Sequence, residues 1–378
     1  MKSVLITGGA GFIGSSLAIK LNESGYKAIV LDSLSPQIHG AHPETTSATF
    51  PKILNISEFH KGDVRDRELV SKLASKSDIV VHLAAETGTG QSMYAISEYA
   101  SVNIQGTAVL LEEIMKSSKK PEKIVVASSR AIYGEGKYEC SQHGVKYPDQ
   151  RSDESMSKGM FDPLCDVCGK SLKVVTTTED SPAKPLSIYG ITKLNQEQMV
   201  LTAAGAAKIP AVALRFQNVY GPGQSLSNPY TGILSIFSTR ARENKSINIF
   251  EDGEESRDFV FIDDVVESLY LAITSQHSGA VALNIGSGIP TTVNTVVEHI
   301  MKFFSSKSEV AITGQYRVGD IRHNVADLEK AKRVLGFKAT VPFAEGIARF
   351  LGWATEQQNI KDDYDKSLSE LRERGLLK

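Results

Sequence analysis

The first apolar positions form a short unbroken run. Val4, Leu5 and Ile6 lie between the polar Lys2-Ser3 pair and a glycine-rich turn. Such a run predicts a strand buried on both faces, as in a parallel sheet. The pattern returns at residues 28–31, 80–85 and 123–129, with helical spacing in between. Strands alternating with helices predict βαβ units, and so an α/β fold built on a doubly wound parallel (Rossmann) sheet. Further on, residues 231–243 read as a helix and 247–250 as a strand. Residues 291–305 predict a helix whose Val293, Val296, Val297, Ile300 and Phe303 form one buried stripe. From Thr355 the chain is charged, with Leu368, Leu371 and Leu376 spaced loosely like a helix. Packing of this tail on the body or on a second subunit stays open at this level.

Composition narrows the class. The chain has 378 residues, 41% of them hydrophobic, enough for a large core. Lys plus Arg number 42 and Asp plus Glu 44, a net charge of -2. That balance argues against a dedicated nucleic-acid binder. No secretory leader pattern is visible, and no apolar run reaches the roughly 18 residues of a membrane span. Three cysteines do not resemble a secreted disulfide scaffold. The expectation is a soluble, reduced, cytoplasmic protein. Four lysines within 116–123 read as a solvated turn.

The turn after the first strand carries chemistry. Gly8, Gly11 and Gly14 recur every third position. Glycine allows a tight turn and close approach to a pyrophosphate, and the following helix offers free N–H groups. The second strand ends in Asp32, an acid placed to bind a ribose hydroxyl pair. Its charge would repel a 2′-phosphate, so NAD is expected rather than NADP. Asp63 is either part of the same site or a helix N-cap.

Two further stretches suggest proton handling. The strand at 123–129 ends in Ser128-Ser129, and downstream lies Tyr189-Gly190-Ile191-Thr192-Lys193. Residues four apart share a helix face, so Lys193 is expected beneath Tyr189, lowering the phenol's pKa from about 10. Tyr189 would then serve as general base toward an alcohol, with Ser129 bonded to the same oxygen. Without the glycine turn, Tyr189 and Lys193 would read as an ordinary amphipathic pair.

These residues resemble the extended short-chain dehydrogenase/reductases, and more narrowly the NAD-dependent nucleotide-sugar epimerases and dehydratases. The resemblance spans about residues 1–353. It includes Ser128-Ser129-Arg130-Ala131-Ile132-Tyr133-Gly134, Leu214-Arg215-Phe216-Gln217-Asn218-Val219-Tyr220-Gly221, Arg257-Asp258-Phe259-Val260-Phe261-Ile262-Asp263-Asp264, Asn284-Ile285-Gly286-Ser287-Gly288 and Arg317-Val318-Gly319-Asp320. It implies Ser129, Tyr189 and Lys193 as the catalytic trio. It implies tightly bound NAD against Gly8, Gly11, Phe12, Ile13, Gly14, Asp32, Asp63, Val64, Ala84, Ala85, Asn103, Tyr189 and Lys193. A nucleotide-diphosphate sugar would meet Ser129, Asn218, Arg257, Arg317 and Asp320, the arginines on its phosphates. For both arginines, an ion pair with a neighbouring acid is the alternative. Relatives of this kind are commonly homodimers. The implied units are an NAD-binding domain (1–135 with 176–217 and 256–284), an insertion (136–175), a nucleotide-sugar-binding lobe (218–255 with 285–353) and a helical tail (354–378).

One departure bears on the reaction. Dehydratases of the family place Asp-Glu directly after the catalytic hydroxyl, and decarboxylases keep the Glu; here those positions are Arg130 and Ala131. Neither supplies the extra acid and base that loss of water needs. The remaining chemistry is 4-epimerisation through a transient 4-keto sugar. Gln217 replaces the usual aromatic before Asn218. With Glu86-Thr87-Gly88-Thr89 and the cysteine window, this resembles the branch acting on dTDP-L-rhamnose to give dTDP-6-deoxy-L-talose. UDP-glucose or UDP-N-acetylglucosamine epimerisation, dehydration and a non-catalytic NAD-binding sensor are the alternatives.

The cysteine window is unusual. Ser129 and Tyr189 lie 60 positions apart, about 35 more than in simpler relatives, and every cysteine of the chain lies between them. The pattern is Cys140-x2-His143, then Cys165-x2-Cys168, with Gly144 and Gly169 following each pair. Paired ligands at this spacing predict a zinc-ribbon-like clip with four protein ligands, hence structural zinc. A redox pair at Cys165-x2-Cys168 and inert cysteines are the alternatives. Residues 140–168 hold five acids and three bases, a poor composition for nucleic acid.

Overall fold

Seven strands make the central sheet: β1 (Ser3–Thr7), β2 (Lys27–Asp32), β3 (Ser57–Lys61), β4 (Ile79–His82), β5 (Lys123–Ser129), β6 (Ala211–Phe216) and β7 (Ala280–Ile285). The structure, a computed structural model, describes residues 1–226, 232–357 and 364–378. The strand order is β7-β6-β5-β4-β1-β2-β3, every neighbouring pair parallel. Sequence order reverses between β1 and β4, the kind of switch point where such sheets dock ligands.

The unbroken apolar runs follow from burial on both faces. Val4 and Ile6 pack with Leu17 and Leu21 of the helix Phe12–Glu23 and with Val265 and Leu269 of the helix Ile262–Thr274. Leu5, between them, points the other way, toward Val70, Leu110 and Val200 on the helices Arg67–Lys76, Gly106–Lys116 and Ile188–Ala206. Alternate residues of the central strands thus meet different helices, and β1, β4, β5 and β6 are buried along their whole length.

A second lobe has its own core, including Phe237, Ile247, Phe259, Val296, Ile300 and Phe350. Its strand Ser256–Phe261 pairs with Asn218–Tyr220, Pro290–Thr292 and His323–Asn324. The helix expected over 231–243 is Ile233–Arg242, and Thr231 lies outside the described residues, as do residues 227–230. The expected strand at 247–250 is Ile247–Ile249. The helix expected over 291–305 is Val293–Phe304, capped by the Thr292 side chain. Its stripe differs at one position: Phe303 is exposed and Phe304 packs on the core instead. At about 100° per residue, position 304 returns to the face of Val293 and Ile300, while 303 turns away.

The lysines at 116–123 are not a merely solvated turn. Lys120 donates to the Ile114, Met115 and Ser117 carbonyls, and the Lys123 ammonium, largely buried, donates to the Ala272 and Ser275 carbonyls. These cations close helix C-termini, whose last carbonyls need donors.

The segment between β5 and the helix Ile188–Ala206 contains a small antiparallel sheet of Tyr138–Cys140, Gly144–Lys146 and Lys173–Val174. At the other end of the chain, the helix Phe343–Glu356 runs past the boundary drawn at 353. The tail folds onto the body. Its helix Tyr364–Glu373 buries Tyr364, Leu368 and Leu371 near Ile236 and Phe250. The last residues pair back on the second lobe, Tyr316 N–H to Lys378 O at 2.9 Å and Val318 N–H to Leu376 O at 2.9 Å.

Candidate active site and cysteine cluster

A cavity of about 1160 Å³ opens at the carboxyl ends of the central strands. One end is built by the glycine turn. Gly8 has φ +71°, and a Cβ there would sit 2.8 Å from the Ala84 nitrogen; one on Gly14 would sit 2.4 Å from the Gly8 oxygen. Only glycine lets the turn, β4 and the helix approach this closely. The helix start at Gly11 has no side-chain cap, which leaves its N–H groups for a ligand. The Asp32 carboxylate accepts from Ala10 N–H at 3.0 Å and Leu34 N–H at 2.9 Å. Each oxygen keeps a lone pair for a ribose hydroxyl. Phe12, Ile13, Asp63, Val64, Ala84 and Ala85 line the same wall. This donor set and glycine cradle fit a dinucleotide. Asp63 is held by Arg65 at 2.6 and 2.9 Å, a hydrogen-bonded pairing that lowers its pKa, while the N-cap role falls to Asp66.

Asn103 does not line the cavity. It is fully buried behind the wall, accepting from Glu86 N–H at 2.7 Å and donating to Thr192 Oγ1 at 2.9 Å. It fixes the backbone after β4 rather than facing a ligand.

Ser129, Tyr189 and Lys193 line the same cavity. Ser129 closes β5. Ser187 caps the helix Ile188–Ala206, and Ser92 Oγ accepts the Tyr189 N–H at 3.0 Å, fixing that helix start. The electrostatics differ from expectation. Burial raises the Tyr189 pKa, opposed by the nearby Ser129 hydroxyl and by the charge of Arg130. Lys193 donates to Gln196 Oε1 at 2.7 Å, and burial lowers its pKa to about 7. The charge that lowers the phenol's pKa is therefore that of Arg130, at a position where the sequence shows only the loss of an acid. Behind Lys193, Gln196 reaches His82 at 3.1 Å and Thr107 at 2.9 Å. His82 is fully buried, and its pKa falls to about 3 through desolvation.

Of the expected sugar-nucleotide residues, Ser129 lines the cavity with Tyr189, whereas Asn218, Arg257, Arg317 and Asp320 do not. Asn218 Oδ1 accepts from Arg130 Nε at 2.7 Å. Arg257 donates to the Ile321 carbonyl at 2.8 Å and the Arg322 carbonyl at 3.0 Å. Arg317 pairs with Asp320 at 2.8 Å and lies over the Phe250 ring, so its ion-pair alternative is what the structure contains. Burial would raise the Asp320 pKa, but Arg317, Arg257, Arg151 and Arg130 together hold it low. The charges of four guanidinium groups thus act on this one carboxylate, of which Arg317 bonds it directly.

Other cavity residues carried no sequence signal. Residues 35–41 and 46–49 form one wall, with His39 buried 3.8 Å from Asp32 and Thr49 Oγ1 donating to the Ala10 carbonyl at 2.7 Å. Trp353, Gln357, Lys366 and Ser367 reach the cavity from the C-terminal part of the chain. No motif marks them because their neighbours are distant in sequence.

The cysteine window does assemble. The ligand atoms of Cys140, His143, Cys165 and Cys168 all lie within 4.8 Å of one another. Cys140 Sγ is 3.7 Å from Cys168 Sγ and 3.5 Å from His143 Nδ1, and Cys165 Sγ is 3.6 Å from that nitrogen. A tetrahedral zinc with standard bond lengths sets edges of about 3.8 Å between sulfurs and about 3.6 Å from sulfur to nitrogen. The residues fit that ion. Backbone N–H groups of Gln142 and His143 lower the Cys140 pKa. Gly144 (φ +66°) and Gly169 (φ +67°) turn the chain after each pair.

The comparisons agree with this geometry. The model of the family described as "NAD dependent epimerase/dehydratase family" matches residues 4–286. The dTDP-L-rhamnose 4-epimerase of Burkholderia thailandensis is 37% identical, covering 96% of this chain and 97% of its own. Among solved structures, the UDP-glucose 4-epimerase of Thermotoga maritima with UDP-glucose has a TM-score of 0.74 at 29% identity, covering 94% of this chain and 99% of that one. The UDP-glucuronic acid 4-epimerase of Bacillus cereus, in complex with UDP-glucuronic acid and NAD, has a TM-score of 0.76 at 25% identity, with the same coverage. A family match over three quarters of the chain, a full-length relative and a glycine-and-aspartate cradle lead to one conclusion: the chain belongs to the NAD dependent epimerase/dehydratase family.

Proposed function

We propose that this protein is an NAD-dependent nucleotide-sugar 4-epimerase that converts dTDP-L-rhamnose to dTDP-6-deoxy-L-talose. One observation carries the reaction type: Ser129, Tyr189 and Lys193 share a cavity with the glycine turn and Asp32, while Arg130 and Ala131 stand where elimination would need acids. The 37% identity to the Burkholderia enzyme supports the sugar.

Gly8, Gly11, Gly14, Asp32 and the lining around Val64 and Ala84 would hold NAD, which when bound accepts a hydride from C4 of the sugar and returns it. The chain's own residues handle the proton. Tyr189 takes it from the C4 hydroxyl, and Ser129 hydrogen-bonds the same oxygen. The charge of Arg130 favours the phenol's ionised form. After the 4-keto sugar turns over, Tyr189 returns the proton on the new face. Water is neither lost nor added, so no third acid is needed. Arg257, Arg317 and Asp320 would meet the nucleotide diphosphate at the edge of the second lobe.

The test is a panel of dTDP- and UDP-sugars with purified protein and no added NAD. Turnover of dTDP-L-rhamnose is expected; a strict need for fresh cofactor, or accumulating NADH, overturns the reading. Tyr189→Phe should cut turnover by about 10²–10⁴-fold, whereas a non-catalytic NAD sensor would be indifferent. UDP-glucose epimerisation is the second reading, favoured by the likeness to the Thermotoga enzyme, and the same panel separates the two.

We further propose that Cys140, His143, Cys165 and Cys168 hold a structural zinc; four protein ligands leave no open position for chemistry. The division into an NAD-binding unit, the 136–175 insertion, a nucleotide-sugar lobe and a tail is supported by β1–β6 and all of β7 but Ile285, which fall in the first; the strand Ser256–Phe261, inside its 256–284 stretch, pairs instead with strands of the second lobe. A homodimer is supported by a shallow apolar depression between the helices Gly106–Lys116 and Ile188–Ala206, lined by Leu111, Met199, Ala203 and Ala206. Three free cysteines support a reduced, cytoplasmic setting. Among the described residues, no helix is long and apolar enough to cross a membrane.

A further inference from the structure

Gln217 is the residue the proposed reaction has not used. It follows the last residue of β6, and in the sheet register that residue, Phe216, stands opposite Ser129. Its N–H is taken by the Ile285 carbonyl at 2.8 Å, so the backbone is fixed between β5 and β7. The side chain is only 4% exposed, and the residue lines the cavity that holds Tyr189 and Lys193. Among the described residues, neither its Oε1 nor its Nε2 has a hydrogen-bond partner. A buried amide left unpaired is costly, and native proteins rarely keep one without a reason. Crowding holds it there: a Cβ on Gly286 would come within 2.8 Å of Gln217 Cγ. The neighbouring Asn218, by contrast, is already engaged by Arg130 at 2.7 Å.

We infer that Gln217 is a specificity-determining residue whose amide hydrogen-bonds a hydroxyl of the sugar beside the C4 being epimerised. This rests on the epimerase reading. A carboxamide offers a donor and an acceptor, and a hydroxyl also gives one of each, so the pair is matched at both atoms. Sheet order favours the sugar over the cofactor. The dinucleotide cradle is on β1 and β2, Ser129 is on β5, and Gln217 is one strand further from that cradle, toward the second lobe. A phenyl ring at this position would offer neither donor nor acceptor. A site with a buried hydrogen-bonding group discriminates strongly against an analogue that lacks the matching hydroxyl.

The experiment compares wild type with Gln217→Met, which keeps the length and removes both polar atoms. The reads are kcat/KM on the sugar panel and on deoxy analogues of the accepted sugar, NAD released on denaturation, and Tm. The expected result is a 10–100-fold loss of kcat/KM on the accepted sugar, a collapsed preference over one deoxy analogue, unchanged NAD content, and a Tm equal to or above wild type. Three results overturn the inference: kcat/KM within threefold of wild type, loss of NAD, which would assign the amide to the cofactor, or a fall in Tm, which would make it a structural residue. If wild type turns over no nucleotide sugar, it is the epimerase reading that fails. In that case sugar binding by calorimetry still tests Gln217, and equal affinity in both proteins would sink it.

Discussion

Arg151 grips Glu251 with two parallel bonds, each 2.8 Å, and both side chains are buried. The same guanidinium donates to Glu135 at 3.1 Å and to the Asp320 carbonyl at 2.9 Å. Arg151 belongs to the cysteine-bearing insertion, Glu251 and Asp320 to the second lobe. One residue thereby ties the insertion to the loop that carries Arg317 and Asp320. Arg151→Met leaves Glu135 and Glu251 short of a buried partner. The expected loss is about 3–5 kcal/mol of stability, read by denaturant unfolding, with KM for the nucleotide sugar rising more than kcat falls.

The cysteine cluster should behave as a metal clip. Purified protein is expected to carry close to one zinc per chain, read by elemental analysis. Cys165→Ser, or prolonged chelation, should lower Tm while leaving NAD content unchanged, because the clip lies outside the cofactor wall. Absence of zinc with a reducible disulfide in its place would return the redox-pair alternative.

His82 makes stability depend on acid. Its ring is buried between Thr7 at 2.7 Å and Thr107 at 2.8 Å, with a pKa lowered to about 3. The unfolded chain takes up this proton near pH 6.5, whereas the folded chain resists it until about 3. The neutral ring's stabilisation is therefore intact above pH 6.5 and declines as pH falls toward 3. The slope from this group approaches about 1.4 kcal/mol per pH unit. Unfolding free energies measured from pH 7 to 4 should fall more steeply for wild type than for His82→Gln.

The C-terminal segment should act on substrate rather than cofactor. Its helix reaches the cavity through Lys366 and Ser367, Arg374 lies 4.1 Å over the Tyr94 ring, and Lys378 pairs with Asp153. It therefore bridges the NAD-binding unit, the insertion and the second lobe. Deleting residues 364–378 should raise KM for the nucleotide sugar by about tenfold, equivalent to ~1.4 kcal/mol, with NAD content retained. Loss of NAD would show that the tail guards the cofactor instead.

Much of this was determined by sequence alone, wherever neighbours along the chain decide the structure. The glycine turn, the buried strands and the Tyr189–Lys193 helix depend on spacing within one element. The cysteine pairs are legible for the same reason, since two residues between ligands make a local knuckle. Tertiary structure decided what depends on distant partners. Asn103 became a wall brace because Glu86 and Thr192 meet there, and Phe303 turned outward because the lobe core admits Phe304. The charge that lowers the Tyr189 pKa is that of Arg130, in the turn just after β5, while Lys193 finds Gln196 within its own helix. Electrostatics in a buried site depends on which charges share the low-dielectric space. That is a property of packing, and no pattern along the chain encodes it.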